Sequence, residues 1–137
     1  MTNSPYIILS MHGRLRSTLE FERVKREGTY WGGRRCSLQA ARQPVVTEES
    51  GEAPQRDRQA PARIGLITSR KIGNAVKRNR ARRVMRESLR SLAGLIQPDW
   101  DIVVIARPAI AAQGVRMQDV RDDLRALLMK ANLMKSG

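Results

Sequence analysis

Residues 69–90 of this chain read SRKIGNAVKRNRARRVMRESLR, and the rest of the sequence is arranged around this stretch. Gly73 and Asn74 interrupt an apolar run. Asn is a good helix N-cap at this point because its side chain can accept from a free N–H of the first turn. The residues that follow are strong helix formers. The stretch therefore predicts a helix over 74–96, which Pro98 ends.

The predicted helix has two chemically different faces. At 100° per residue its apolar positions recur at i, i+3, i+4 and i+7, which is typical of a helix that packs on a core. The apolar arc consists of Ala81, Val84, Met85, Ser88, Leu89, Leu92 and Ile96. The opposite arc consists of Asn79, Arg82, Arg83, Arg86 and Arg90.

The charge of this stretch is almost entirely of one sign. Nine of residues 69–90 are Lys or Arg and one, Glu87, is acidic, so the stretch carries +8 of the formal +13. Guanidinium groups at i and i+4 repel each other by about a few tenths of a kcal/mol per pair, a cost that a polyanion removes. The planar guanidinium also matches two phosphate oxygens at once. The pattern favours a nucleic-acid-binding face over an ordinary solvated one.

Length and composition limit the classes to which this protein can belong. The 137 residues suffice for one domain, and the 41% hydrophobic content indicates that the basicity is laid over a globular fold. A pI near 11.4 favours nucleic acid or an anionic membrane. No apolar run approaches the roughly 20 residues that span a bilayer, and the basic helix lacks bulky aromatic residues on its apolar side. We expect no membrane partner.

A single cysteine and the N-terminal sequence indicate the compartment. Cys36 cannot form an internal disulfide, which fits a reducing environment, and its place in a predicted strand favours a buried, unreactive thiol. No signal peptide is recognisable at the N-terminus. We expect a cytoplasmic protein.

The chain divides into a disordered N-terminal arm, 1–13, and a single RNA-binding domain, 14–137, with a flexible loop at 43–61. The loop contains Pro and charged residues without periodicity. The predicted helices cover 17–27, 74–96 and 116–132, and the predicted strands cover 34–42, 63–69 and 100–107. Residues 30–33 are expected to form a turn. This order, α-β-β-α-β-α, predicts an α+β fold with a strand–helix–strand unit at its centre.

The sequence contains no convincing catalytic group. Asp119 and Asp123, at i and i+4, come nearest to a pair of metal ligands, but carboxylates near a helix start also suit the helix dipole. Asp99 and Asp101 are interpreted as turn residues, and His12 lies in the arm. No catalytic residue and no metal ligand is therefore predicted.

One aromatic side chain is a candidate for stacking with RNA bases, worth about 1–3 kcal/mol per base. Phe21 lies on a cationic helix. Leu19 and Val24 are expected to supply the contact of this helix with the core. Core packing of Phe21 is an equal alternative. Trp31 and Trp100 are assigned to packing.

Residues 71–83, KIGNAVKRNRARR, closely resemble the arginine–asparagine–arginine signature of the bacterial ribonuclease P protein subunit. The flanking sequences agree with this resemblance. Phe21, Val24 and Gly28 match the N-terminal helix of that family, and residues 101–107 match its last strand. The similarity extends over about residues 14–133.

The resemblance implies a fold and a function. The fold is a two-layer α/β sandwich with a left-handed central β-α-β crossover, like the second domain of a small-subunit ribosomal protein. The function is to assist a catalytic RNA that removes the 5′ leader from precursor tRNA. Mg²⁺ is held mainly by the RNA, the partners are that RNA and precursor tRNA, and no small-molecule cofactor is implied.

The resemblance also implies two sets of site residues. The residues that would face the catalytic RNA are Lys77, Arg78, Asn79, Arg80, Arg82, Arg83, Arg86 and Arg90. Those that would line the leader cleft are Phe21, Lys25, Ser69, Arg70 and Lys71. Many family members have an aromatic residue where this chain has Lys25, and often another near Gln39. Fewer rings imply a cleft that depends more on phosphate contacts and hence on salt.

Two other functions remain open from the residues alone. A general RNA-binding or ribosome-assembly protein could use the same basic helix. A metal-dependent protein nuclease would need Asp119 and Asp123 to hold the metal.

Overall fold

The computed structural model describes residues 18–44 and 61–135, and the backbone alone of 6–8 and 13–14. The strands in these ranges are β1 (Tyr6–Ile8), β2 (Gly13–Arg14), β3 (Thr29–Trp31), β4 (Cys36–Arg42), β5 (Arg63–Ile67) and β6 (Trp100–Ala106). The helices are α1 (Thr18–Glu27), α2 (Ala75–Leu92) and α3 (Met117–Lys130). Short 3₁₀ turns cover Arg70–Ile72, Ala93–Leu95 and Pro108–Ala111.

The strands form one mixed sheet in the order β1-β5-β6-β4-β3, with β2 also paired to β5. Strands β5 and β6 are parallel neighbours, and α2 lies in the connection between them. Strand β4 is antiparallel to β6, so that Val104 pairs with Leu66 on one side and with Leu38 on the other. The α+β class and the α-β-β-α-β-α order of the main elements are confirmed by the succession α1-β4-β5-α2-β6-α3.

The main core lies between the sheet and helices α2 and α3. Alternate side chains of each strand point to this face, because successive residues of a strand point to opposite sides. The strand residues in this core include Leu38, Ile64, Leu66, Ile102 and Val104. The helix residues packed with them include Ala81, Met85, Leu89, Leu92, Val120, Leu124, Leu127 and Leu128. The predicted apolar arc of α2 is therefore confirmed.

Helix α1 covers the opposite face of the sheet. Its Phe21 and Val24 form a small buried cluster with Ala41 and Val103. Leu19 is 80% exposed, so its predicted core role is wrong. The reason is angular: positions i and i+3 of a helix share a face, whereas Leu19 lies about 200° from Phe21 at 100° per residue.

The first half of the predicted turn at 30–33 is part of a strand. Thr29–Trp31 form β3, which pairs with β4 through Thr29 opposite Ala40 and Trp31 opposite Leu38. Without β3, the outer edge of β4 would present unpaired N–H and C=O groups. Tertiary pairing thus turns a short aromatic segment into a strand.

Two short strands lie near the N-terminus. Strand β1 pairs with β5 where β5 would otherwise be the sheet edge, and β2 pairs with the start of β5. Residues 6–8 and Gly13 of the predicted arm 1–13 are thus paired with β5. The rest of that arm, and residues 45–60 of the predicted loop, lie outside the described residues.

Helix α2 ends four residues before the predicted boundary. The chain tightens into the 3₁₀ turn Ala93–Leu95, as helix ends commonly do. Ile96 is nevertheless buried, and its backbone forms a bridge with Met134. The predicted apolar role of Ile96 is confirmed even though it lies outside the helix.

Candidate nucleic-acid interface

The start of α2 is built by two local caps. The Lys77 N–H donates to Oδ1 of Asn74 at 3.0 Å, which confirms the predicted N-cap. One turn earlier, the Lys71 N–H donates to Oγ of Ser69 at 3.3 Å. Gly73, with a φ of +138°, joins the two, and L side chains rarely adopt this backbone conformation. These caps hold the cations of residues 70–78 on ordered backbone.

The basic residues of 69–90 keep their charge available to a partner. Within the described residues, none of these nine Lys and Arg side chains lies within 4.0 Å of a carboxylate. The exposed members are Arg70, Lys71, Lys77, Arg80, Arg83 and Arg90, and the half-buried members are Arg78, Arg82 and Arg86. We call these nine residues the basic face.

Two members of the basic face also hold the protein together. Arg82 donates from Nε to Oγ1 of the buried Thr68 at 2.9 Å and from Nη1 to Oδ1 of Asn79 at 2.7 Å. Arg80 donates from Nη2 to the carbonyl of Val115 at 2.8 Å. A guanidinium has five N–H donors, so each keeps donors for a phosphate. Sequence reasoning missed the bonds to Thr68 and Val115 because these partners lie outside α2.

The predicted leader residues border the face of the sheet that α1 covers. Arg63, the first residue of β5, and Asp101, the second residue of β6, form ion pairs with α1 side chains. Ile67 and Ile105 are half-buried four residues further along these strands, about 13 Å away at 3.3 Å per residue. Residues 69–71 follow β5 at that end. Ile67 and Ile105 pack against the small cluster under α1, and residues 69–71 follow beyond Ile67, so a short strip of sheet surface separates α1 from residues 69–71.

The leader residues themselves differ in exposure. Lys25, Arg70 and Lys71 are exposed, and Ser69 is half-buried. Phe21 is 4% exposed and belongs to the small cluster under α1. Of the two alternatives for Phe21, the structure favours core packing.

Sequence reasoning interpreted Asp101 wrongly. It is not a turn residue but a fully buried member of β6. Arg63 donates from Nε to Oδ1 at 2.7 Å and from Nη2 to Oδ2 at 2.6 Å, and Arg23 also donates to Oδ2. This hydrogen bonding raises the pKa of Arg63. The available signal was an acidic residue on the buried face of an apolar strand.

Both carboxylates of the candidate metal pair have partners within the protein. Asp119 accepts from the backbone N–H of Arg116 at 2.9 Å, and Asp123 accepts from Arg35 at 2.8 Å. The bond to Asp123 raises the pKa of Arg35. Among the described residues, no three His, Cys, Asp or Glu side chains are grouped as a metal site would require.

Two further expectations concern the thiol and the membrane. Cys36 is a free, buried thiol, and burial raises its pKa to about 12, as expected for an unreactive strand residue. In the part of the chain described, no helix combines the length and apolar character that crossing a membrane requires.

Comparisons with known proteins agree with this geometry. The family model for ribonuclease P matches residues 9–132. The ribonuclease P protein component of Roseiflexus castenholzii is 35% identical over 125 residues, which is 90% of this chain and 89% of that protein. That of Roseiflexus sp. strain RS-1 is 41% identical over 99 residues, 72% of this chain and 70% of that protein.

A solved structure shares the fold as well. The ribonuclease P protein from Thermotoga maritima superposes with a TM-score of 0.69 at 26% identity, covering 87% of this chain and 97% of that one. Family match, relatives and fold all point to a protein that works with an RNA partner. The chain belongs to the family of ribonuclease P protein components, the protein subunit of an endoribonuclease for tRNA 5′ processing.

Proposed function

We propose that the seven members of the basic face on α2, from Lys77 to Arg90, bind the catalytic RNA of ribonuclease P together with Asn79. The observation that supports this most strongly is the absence of any ion pair between these seven cationic side chains and carboxylates of the described residues. Same-sign groups packed on one helix repel each other, and RNA phosphates would relieve that repulsion. The bonds from Arg82 to Thr68 and from Arg80 to Val115 would preorganise two of the guanidinium groups.

The 5′ leader of precursor tRNA is the proposed ligand of the sheet strip between α1 and residues 69–71. Exposed cations lie on the elements beside this strip, Lys25 on α1 and Arg70 and Lys71 beyond β5. Cations contact the phosphates of any RNA, whereas few groups here could recognise base edges. Such a surface is suited to bind a single-stranded RNA of arbitrary sequence. Because Phe21 is buried, its proposed role is to support the floor of the strip, and phosphate contacts would carry most of the affinity.

Hydrolysis is assigned to the RNA, with Mg²⁺ held mainly by RNA phosphates. Supporting this, Asp119 and Asp123 are engaged by Arg116 and Arg35, so both carboxylates already serve the fold. The role of the protein would be to neutralise phosphate repulsion and to hold the leader. A cytoplasmic location follows from this role and accords with a single, buried thiol.

A cleavage assay tests the proposal. Precursor tRNA is incubated with the protein alone, with the catalytic RNA alone and with both, over a Mg²⁺ titration. We expect no cleavage by the protein alone, and cleavage by the pair at lower Mg²⁺ than by the RNA alone. Cleavage by RNA-free protein that Asp119→Asn or Asp123→Asn abolishes would instead establish a metal-dependent nuclease.

A binding assay separates the proposal from a general RNA-binding role. In the presence of the catalytic RNA, the complex should bind precursor tRNA more tightly than mature tRNA. Equal affinity for the two would favour a general RNA-binding or ribosome-assembly protein.

A further inference from the structure

Helix α1 has little apolar contact with the sheet. It contributes two buried side chains, Phe21 and Val24, to a cluster completed by Ala41 and Val103. Two apolar anchors one turn apart fix the helix against a surface but define its rotation and lateral position poorly. Directional contacts are therefore needed to fix the position of α1.

Those directional contacts converge on Asp101. Arg63 and Asp101 are paired residues of the parallel strands β5 and β6, and they form a bidentate ion pair within the sheet. Arg23 reaches the same carboxylate from α1. Arg23 also donates to the carbonyl of Arg42 at 3.3 Å and pairs with Glu27 at 2.8 Å. Arg23 is thus tied to β6, to β4 and to its own helix.

A second side chain of α1 contacts this network at Arg63. Glu20, one turn before Arg23 on α1, lies 3.5 Å from Arg63. Helix α1 therefore contacts the Arg63–Asp101 pair through two side chains of opposite charge, Glu20 and Arg23. They are three residues apart and share one face of the helix. Such a pattern is satisfied in only one rotation of the helix.

The burial of Asp101 makes this arrangement restrictive. Its side chain is fully buried, whereas those of Arg23 and Arg63 are partly accessible. A buried carboxylate needs its cations in place, since an unpaired buried charge is strongly unfavourable. A buried ion pair adds little net stability over an apolar substitute, and its best-attested use is to specify one arrangement among several.

We propose that Asp101 is a positioning residue for leader binding. Acting through Arg23, it sets the location of α1 over the sheet, and with it the distance between Lys25 and residues 69–71. This inference rests on the proposed leader role of that strip. Asp101 itself is buried and does not touch the RNA.

The experiment measures leader discrimination, the ratio of affinities for precursor and mature tRNA, with the catalytic RNA present. The ratio is first measured for the wild-type protein. A ratio of one would contradict the proposed leader function itself, independently of any role of Asp101. Given a wild-type ratio well above one, Asp101→Asn keeps the side-chain size and removes the charge. We expect the ratio to fall by about tenfold, equivalent to about 1.4 kcal/mol, with affinity for the catalytic RNA changed less than about twofold.

A stability-matched control separates positioning from general weakening. Leu128→Ala creates a cavity in the main core on the opposite face of the sheet. Denaturant concentration is adjusted so that both variants have the same folded fraction. Loss of discrimination in Asp101→Asn alone supports the proposal, and an equal loss in Leu128→Ala overturns it.

A second variant keeps the test decisive if Asp101→Asn does not fold. Arg23→Met retains the length of the side chain and the Arg63–Asp101 pair but removes the link to α1. It should lose discrimination to a similar degree. Where Asp101→Asn does fold, combining the two changes should add little, because both remove the Arg23–Asp101 link. Unchanged discrimination in Arg23→Met would contradict the proposal. So would tighter binding of both tRNAs by Asp101→Asn, which would mean that Asp101 merely masks positive charge.

Discussion

The Nε of Arg82 lies 2.9 Å from Oγ1 of Thr68, a fully buried residue that follows β5. One cation of the basic face therefore also fastens α2 to the end of a central strand. Its neighbour Arg83 is exposed and has no bond of this kind to another element within the described residues. Adjacent arginines in one sequence motif thus have different physical roles.

This difference predicts different outcomes for Arg83→Ala and Arg82→Ala. Arg83→Ala should weaken binding of the catalytic RNA and lower the slope of log affinity against log salt by about 0.7–0.9 for a lost phosphate contact. The free energy of unfolding should change by less than about 0.5 kcal/mol. Arg82→Ala should also cost about 1–3 kcal/mol of stability, because it leaves the Thr68 hydroxyl without this partner. Filter binding at several salt concentrations and urea unfolding measure both. An unchanged slope in both variants would mean that neither arginine contacts an RNA phosphate.

Phe21→Ala should act mainly on stability. Removing a buried phenyl ring costs about 3–5 kcal/mol, and Phe21 is buried against Val24, Ala41 and Val103. Leu19→Ala is the matched control on the same helix, since Leu19 is exposed and should change stability by less than about 0.5 kcal/mol. Thermal unfolding of the two variants provides the measurement. Wild-type stability in Phe21→Ala, together with lost leader discrimination, would revive the stacking role.

The N-cap of α2 gives a local prediction. Asn74→Ala removes the acceptor of the Lys77 N–H and should cost about 0.5–2 kcal/mol. Asn74→Asp keeps an acceptor oxygen and should retain most of that stability. Urea unfolding of the two variants tests the point, and equal destabilisation by both would show that the cap contributes little.

The thiol of Cys36 should be unreactive in the folded protein. Burial raises its pKa to about 12, whereas an unfolded cysteine ionises near about 8.5. The folded state therefore keeps a proton that the unfolded state loses, so the contribution of Cys36 to stability falls as pH rises from about 8.5 towards about 12. A disulfide reagent that releases a coloured thiolate, used at pH of about 8, should react slowly with Cys36 of the native protein. It should react rapidly with Cys36 in guanidinium chloride. Rapid reaction under native conditions would show that the thiol is accessible.

Much of the fold follows from patterns within short stretches of sequence. The arc from Ala81 to Leu92 has helical period, and its apolar positions are buried as that period requires. Gly28 ends α1, where its N–H donates to the Val24 carbonyl at 2.8 Å. Such features depend on residues three or four apart, so sequence alone is sufficient to predict them.

Other features depend on residues far apart in the chain. Residues 30–33 looked like a turn because nothing nearby shows that β4 has a free edge for Thr29–Trp31 to pair with. Leu19 and Phe21 could not be ranked as core residues until the sheet determined which side of α1 is covered. The basic face is visible in the sequence, but the bond from Arg82 to Thr68 spans fourteen residues and two elements.

The sequence by itself determined the types of the three helices and the three longest strands, the apolar face of α2, and a helix with cations on one side. These are consequences of local backbone preference and of side-chain periodicity. Only the tertiary structure decided that Asp101 is buried between Arg23 and Arg63, which lie 78 and 38 residues away. A buried charge is stable only when opposite charges lie beside it. Strand register places Arg63 beside Asp101, and the position of α1 places Arg23 there.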